Sequence, residues 1–142
     1  MSDRTFLDTN VLVYAVDETE PDKRDTARRL LSSTGYGEFV LSSQILGEFY
    51  TVVTRRLAEP VPEATAAAIV DQLSLNPVVP LDPALVKAAI QTSRSSQLSY
   101  WDGLIVASAA ASGCERLLTE DLNDGQLIGS VRVENPFRGS VD

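Results

Sequence analysis

Histidine is absent from this sequence, and cysteine occurs only once. Without an imidazole there is no Ser-His-Asp or Cys-His nucleophile pair, and with a single thiol there is no plausible zinc site. Cys114 has no intramolecular disulfide partner, and its place beside an Ala/Ser-rich apolar run predicts a buried, inert thiol. Lysine is scarce as well, and none follows Lys87, so a receiver-type site that needs a lysine late in the chain is excluded. A glycine-rich phosphate loop is missing too: Gly35-Tyr36-Gly37 precedes a predicted strand and lacks a third glycine at position 40. No apolar run reaches the 18 or more residues of a membrane span, and the N-terminus does not read as a secretory signal, so a cytoplasmic protein is expected. Any catalysis must therefore use carboxylates, hydroxyls, Arg, two lysines or a metal ion.

What is present is an ordinary soluble composition, 44% hydrophobic and 23% charged in 142 residues, enough for one core and a single domain over 1–142. Periodicity and punctuation predict strands at 4–7, 39–41, 78–81, 116–118 and 131–134. Helices are predicted at 11–16, 22–33, from Ser42 or Ser43 through 56, 63–75, 83–95 and 99–112. Strands alternating with helices imply an α/β fold with a mainly parallel sheet of four to five strands, covered on both faces. In such sheets the functional site lies at the carboxyl ends of the strands, where strand order reverses.

Four acids fall at places where that topology could gather them. Asp8 interrupts the apolar run "RTFLDTNVLVYAV" at the end of the first strand, where it could also serve as a helix cap or Asx-turn. Glu48, in "SSQILGEFYTVVTRRL", projects about 60° to one side of Ile45 on a helix whose apolar stripe is Ile45, Phe49, Val52 and Val53. Asp102 opens a helix that is apolar or small on nearly every side, and Ser99 to Asp102 has the spacing of a capping box. Asp121 follows the fourth strand, two residues after Thr119 and three before Asp124, in a loop that could equally be a solvated turn. Each acid has a bland explanation, but their conjunction at one end of a sheet does not. Clustered like charges repel unless cations intervene. Oxygen ligands without His or Cys point to Mg²⁺ or Mn²⁺, an ion suited to phosphodiester hydrolysis because it activates water and offsets phosphate charge. Thr9, Asn10 and Thr119 are placed to hold waters or orient the ligand carboxylates.

The segments "FLDTNVLVYAVD", "LSSQILGEFYTVVTRR", "SYWDGLIVASAAASGCERLLTEDL" and "GQLIGSVRVENPF" resemble the PIN-domain nucleases, and more narrowly the VapC-type toxins of bacterial toxin–antitoxin systems. That resemblance implies a three-layer α/β/α sandwich, a homodimer, Mg²⁺- or Mn²⁺-dependent cleavage of RNA, and inhibition by a cognate antitoxin. By position it implies an acidic quartet of Asp8, Glu48, Asp102 and Asp121, with Thr119 as the hydroxyl of a T-x-D pattern. Asp124 is a further candidate ligand at a place that varies within the family.

A formal net charge of −8 argues against nucleic acid as a bare number, yet five of the acids belong to the candidate site itself. Candidate phosphate contacts are Lys23, Arg24, Arg28 and Arg29 on the second helix and Arg55 and Arg56 ending another, each also explicable as a solvated charge. Haloacid-dehalogenase-like phosphatases also carry an Asp after the first strand, but in a D-x-D pattern, and residue 10 is Asn. A non-catalytic PIN-like RNA- or protein-binding module is the competing reading. The intact quartet weighs against it, because a scaffold has no need of four repelling acids.

Overall fold

The computed structural model describes residues 3–138. The chain runs β1 (Arg4–Leu7), α1 (Thr9–Tyr14), α2 (Pro21–Leu31), β2 (Glu38–Ser42), α3 (Ser43–Arg55), α4 (Glu63–Leu73) and β3 (Val78–Val79). It continues α5 (Pro83–Ser96), α6 (Tyr100–Ala111), β4 (Arg116–Leu118), β5 (Leu127–Ile128) and β6 (Val131–Glu134). The strands form one sheet in the order β3-β2-β1-β4-β6-β5, parallel except for the β5–β6 pair. This is the expected three-layer α/β/α sandwich. Thr5, Phe6, Leu7 and Asp8 are all buried although successive strand residues point to opposite faces, so β1 is covered on both sides.

The sheet has six strands rather than four to five. The additional strand, β5, is two residues long, leaves Leu127 58% exposed, and is held only by the antiparallel pairing Leu127↔Arg132 and Ile128↔Val131. A strand so short carries no period-2 signal. Gly129, at φ +60°, makes the two-residue turn that closes this hairpin. β3 stops at Val79 instead of reaching Leu81, because Pro80 has no N–H to donate to a ladder.

Two features of local chemistry set where the site lies. Chain order reverses at β1, which pairs β2 on one side through Phe6↔Val40 and β4 on the other through Phe6↔Leu117. The crevice beyond the carboxyl ends of β1 and β4 is therefore the switch point of the sheet. α6, in turn, is buried from Gly103 to Ala109 and packs closely on α5. A Cβ added at Gly103 would stand 2.7 Å from the Ala89 carbonyl oxygen and 2.9 Å from Ser93 Cβ, so only glycine allows this approach. Cys114 is buried, as expected, and burial pushes its thiol pKa up, which suppresses the reactive thiolate.

Candidate active site

Asp8 sits where β1 gives way to α1, and its carboxylate performs two structural tasks at once. Oδ1 accepts from the Thr9 backbone N–H at 2.7 Å, capping α1, and Oδ2 accepts from Thr119 Oγ1 at 2.8 Å. The cap starts α1 at Thr9, two residues earlier than the apolar pattern alone predicts. Thr119 follows β4 and is fully buried. Its hydroxyl also accepts from Asn10 Nδ2 and from the Asp121 backbone N–H, each at 3.1 Å. Asn10 Nδ2 reaches on to Asp121 Oδ2 at 3.2 Å, and Thr9 Oγ1 donates to Glu48 Oε1 at 3.0 Å. Three neutral side chains thus tie Asp8, Glu48 and Asp121 into one hydrogen-bonded network across elements some 40 and 110 residues apart in sequence.

The electrostatics follow from this crowding. Burial raises the Asp8 pKa from 3.8 to about 6. Hydrogen bonds from Thr119 and Thr9 oppose the rise, and the charges of Asp121 and Glu48 add to it. Asp102 arrives from the first turn of α6, positioned by Ser99 Oγ, which accepts from its backbone N–H at 3.1 Å. The carboxylate itself accepts no hydrogen bond among the described residues, so only half of a capping box is formed. Asp8, Glu48, Asp102 and Asp121 all line one open cleft of about 400 Å³, with Thr9 and Asn10 among its walls. Thr119 lies beneath it.

Asp124 is not brought to this cleft. Its carboxylate accepts from the Asn135 backbone N–H and from Arg138, and the first of these, followed by the second, lowers its pKa. Its role is to fasten the loop after β4 to the segment after β6. The candidate phosphate contacts also diverge. Arg28 donates to the Ala15 carbonyl and to Glu18, Arg24 to Glu18 and Asp25, and Arg29 only to Thr26 Oγ1 at 3.5 Å. Arg55 is exposed at the end of α3. Arg56 lines a shallow groove that shares Gln44, Glu48 and Val52 with the acidic cleft, and is the best placed of the arginines.

Sequence reasoning missed four cleft residues: Asp17, Tyr14, Gln44 and Trp101. Asp17 is buried, and its Oδ1 accepts from the Thr19 N–H and hydroxyl. Gln44 precedes Glu48 by one helical turn, a spacing that could have flagged it. Its buried Oε1 has no hydrogen-bond partner among the described residues, and neither has Asn10 Oδ1. Tyr14 Oη donates to Glu120 Oε2 at 2.6 Å, while Lys23 Nζ donates to both Tyr14 Oη and Glu120 Oε1. This clamp anchors the loop next to Asp121 and commits Lys23.

Among the described residues no three acidic, histidine or cysteine side chains are drawn close enough to chelate an ion as they stand. The donor chemistry nevertheless fits a hard divalent cation: carboxylate and amide oxygens only, one of them an orphaned Asn10 Oδ1, around an Asp8 whose charge lacks compensation. Asp8, Glu48, Asp102 and Asp121 are the groups that could hold it.

Residues 5–123 match the PIN domain family. No curated protein sequence matches the chain. Among solved structures, the chain is similar to a toxin–antitoxin complex from Klebsiella pneumoniae at 17% identity and TM-score 0.69, covering 93% of this chain and 97% of that one. It is similar to DNA-bound VapBC from Salmonella typhimurium at 21% identity and TM-score 0.62, covering 94% and 98%. It is also similar to VapC20 of Mycobacterium tuberculosis, described as a sarcin-ricin loop cleaving toxin, at 22% identity and TM-score 0.60, covering 80% and 86%. The match extends from the first strand past Asp121 and includes every acid that faces the cleft, and the chain accordingly belongs to the PIN-domain family.

Proposed function

We propose that this protein is a Mg²⁺- or Mn²⁺-dependent endoribonuclease, the toxin of a toxin–antitoxin pair, that hydrolyses RNA phosphodiester bonds. The observation that carries the reading is the sharing of one cleft by Asp8, Glu48, Asp102 and Asp121 at the switch point of the sheet. Bound by these acids, the ion would supply an acidified water and offset charge on the phosphate oxygens. The chain's own residues do the rest. Thr119 and the Thr9 N–H fix the Asp8 carboxylate, Asn10 orients Asp121, and Thr9 orients Glu48. Asp102, whose carboxylate accepts no hydrogen bond among the described residues, has both oxygens available to the ion.

The neighbouring structures suggest the partners. VapBC and the Klebsiella complex are toxin–antitoxin assemblies, and a cognate antitoxin is proposed here by that likeness; homodimerisation is proposed only from the family resemblance. An apolar groove between α3 and α4, lined by Leu46, Tyr50, Ala67 and Val70, supports docking of an amphipathic segment. No described helix is long and apolar enough to cross a membrane.

Incubation of the purified protein with structured RNAs and Mg²⁺ tests the reading. Cleavage should stop in EDTA, return with Mg²⁺ or Mn²⁺, and fall by at least roughly 100-fold in Asp8→Asn and Asp102→Asn. Cleavage that persists in chelator, or no cleavage with either ion, overturns it and favours a non-catalytic binding module.

A further inference from the structure

Trp101, the protein's sole tryptophan, is 61% exposed at the mouth of the acidic cleft. An indole left in water forgoes the burial that usually holds such a residue in a core, and this one adjoins Asp102 in sequence. Its position is rigidly specified. Ser99 caps α6, and the Tyr100 and Trp101 rings pack roughly perpendicular to each other, with centroids 4.9 Å apart and planes at 76°. Both residues lie on the first turn of a buried helix, and the indole keeps 61% of its surface exposed despite this contact.

The electrostatics of the site create the need for such a group. Four carboxylates repel a polyanion, and three of the nearby cations are committed, Lys23 to Glu120 and Arg24 and Arg28 to Glu18, which leaves Arg56 in the adjoining groove. Phosphate contacts fall to Arg56 and to the ion the cleft would hold, whereas stacking on an aromatic face is charge-neutral and available to every base. Gln44 lines the same cleft, and its buried Oε1 has no hydrogen-bond partner among the described residues.

We infer that Trp101 is the stacking platform for a single-stranded nucleobase next to the scissile phosphate, so that substrate is held by its bases as well as its backbone. This rests on the ribonuclease reading above. It makes Trp101 a substrate-contacting residue and restricts the substrate to RNA with an unpaired base at the cleavage point.

Because Trp101 is the sole tryptophan, intrinsic fluorescence reports on it directly. The wild-type protein, with Ca²⁺ in place of Mg²⁺, is titrated with a hexaribonucleotide and with the same oligomer made abasic. Quenching by the first and not the second is expected. Trp101→Ala should bind the hexaribonucleotide roughly 5- to 150-fold more weakly, by the same factor at 50 and 200 mM salt, with Trp101→Phe recovering most of the loss. In Mg²⁺ the alanine variant should raise KM more than it lowers kcat. If the wild type cleaves RNA while its emission ignores the hexaribonucleotide and Trp101→Ala binds normally, the inference fails and the ribonuclease reading stands. An emission that follows protein concentration instead of RNA assigns Trp101 to a contact between copies, and likewise overturns it. Absence of cleavage by wild type overturns the underlying reading, a result independent of the fluorescence.

Discussion

At the residue scale, the buried carboxylate of Asp8 governs the balance between stability and function. Its pKa in the folded chain, about 6, lies above the unfolded value of 3.8, so the native state holds a proton that the unfolded chain releases. The resulting penalty is absent below pH 4, grows as pH rises between 4 and 6, and is complete above 6, where it costs about 3 kcal/mol at most. Asp8→Asn removes the charge but takes the acceptor from the Thr119 hydroxyl, a loss of about 1 kcal/mol. In EDTA the variant should therefore be more stable than wild type by about 2 kcal/mol at pH 7 and less stable below pH 4. Urea denaturation at the two pH values checks this. A variant less stable at both would mean that the hydrogen bonds outweigh the desolvated charge.

At the scale of elements, the site depends on how helices approach the sheet. α6 can present Asp102 only because Gly103 lets its backbone sit against Ala89 and Ser93 of α5. Gly103→Ala should push the two helices apart, lower stability by about 1–3 kcal/mol, and cut RNA cleavage by displacing Asp102. Thermal unfolding and an RNA-cleavage assay read the two effects, and a variant with wild-type melting and activity would contradict the close packing. Here the sequence was informative about existence and less so about ends. The Ser42, Asp82 and Ser99 caps mark α3, α5 and α6, because side-chain oxygens at these positions satisfy orphan N–H groups. α1, only six residues long, is too short for a helical period and is set instead by the Asp8 cap. β5 has no local signal, because pairing with β6 alone makes it a strand.

For the molecule as a whole, the proposed cation site would couple ion binding to folding. An ion that binds the native cleft and not the unfolded chain stabilises the fold by about 2.7 kcal/mol at a hundred times its Kd. Mg²⁺ should raise the melting temperature of wild type, and raise it far less in a variant carrying both Asp8→Asn and Asp121→Asn. Equal shifts in the two proteins would remove these acids as the binding site. The sequence singled out Asp8 and Asp121 after strands, Asp102 at the start of a buried helix and Glu48 beside an apolar stripe, with Asp124 as a lesser candidate, and all but Asp124 line the cleft. Its engagement with Asn135 and Arg138 depends on a chain segment that returns only after β6.

Composition and periodicity alone determined that this is an α/β chain without imidazole chemistry, with two of its site acids after parallel strands and two on helices. Those properties are local, resting on residue type and on repeats of two or 3.6 residues. Only the tertiary structure decided which acids share a cleft, which arginines are already paired, and that Trp101 stands in water beside Asp102. Such facts depend on contacts between segments up to 110 residues apart, whose geometry is set by packing of the whole core and has no signature in any single stretch of sequence.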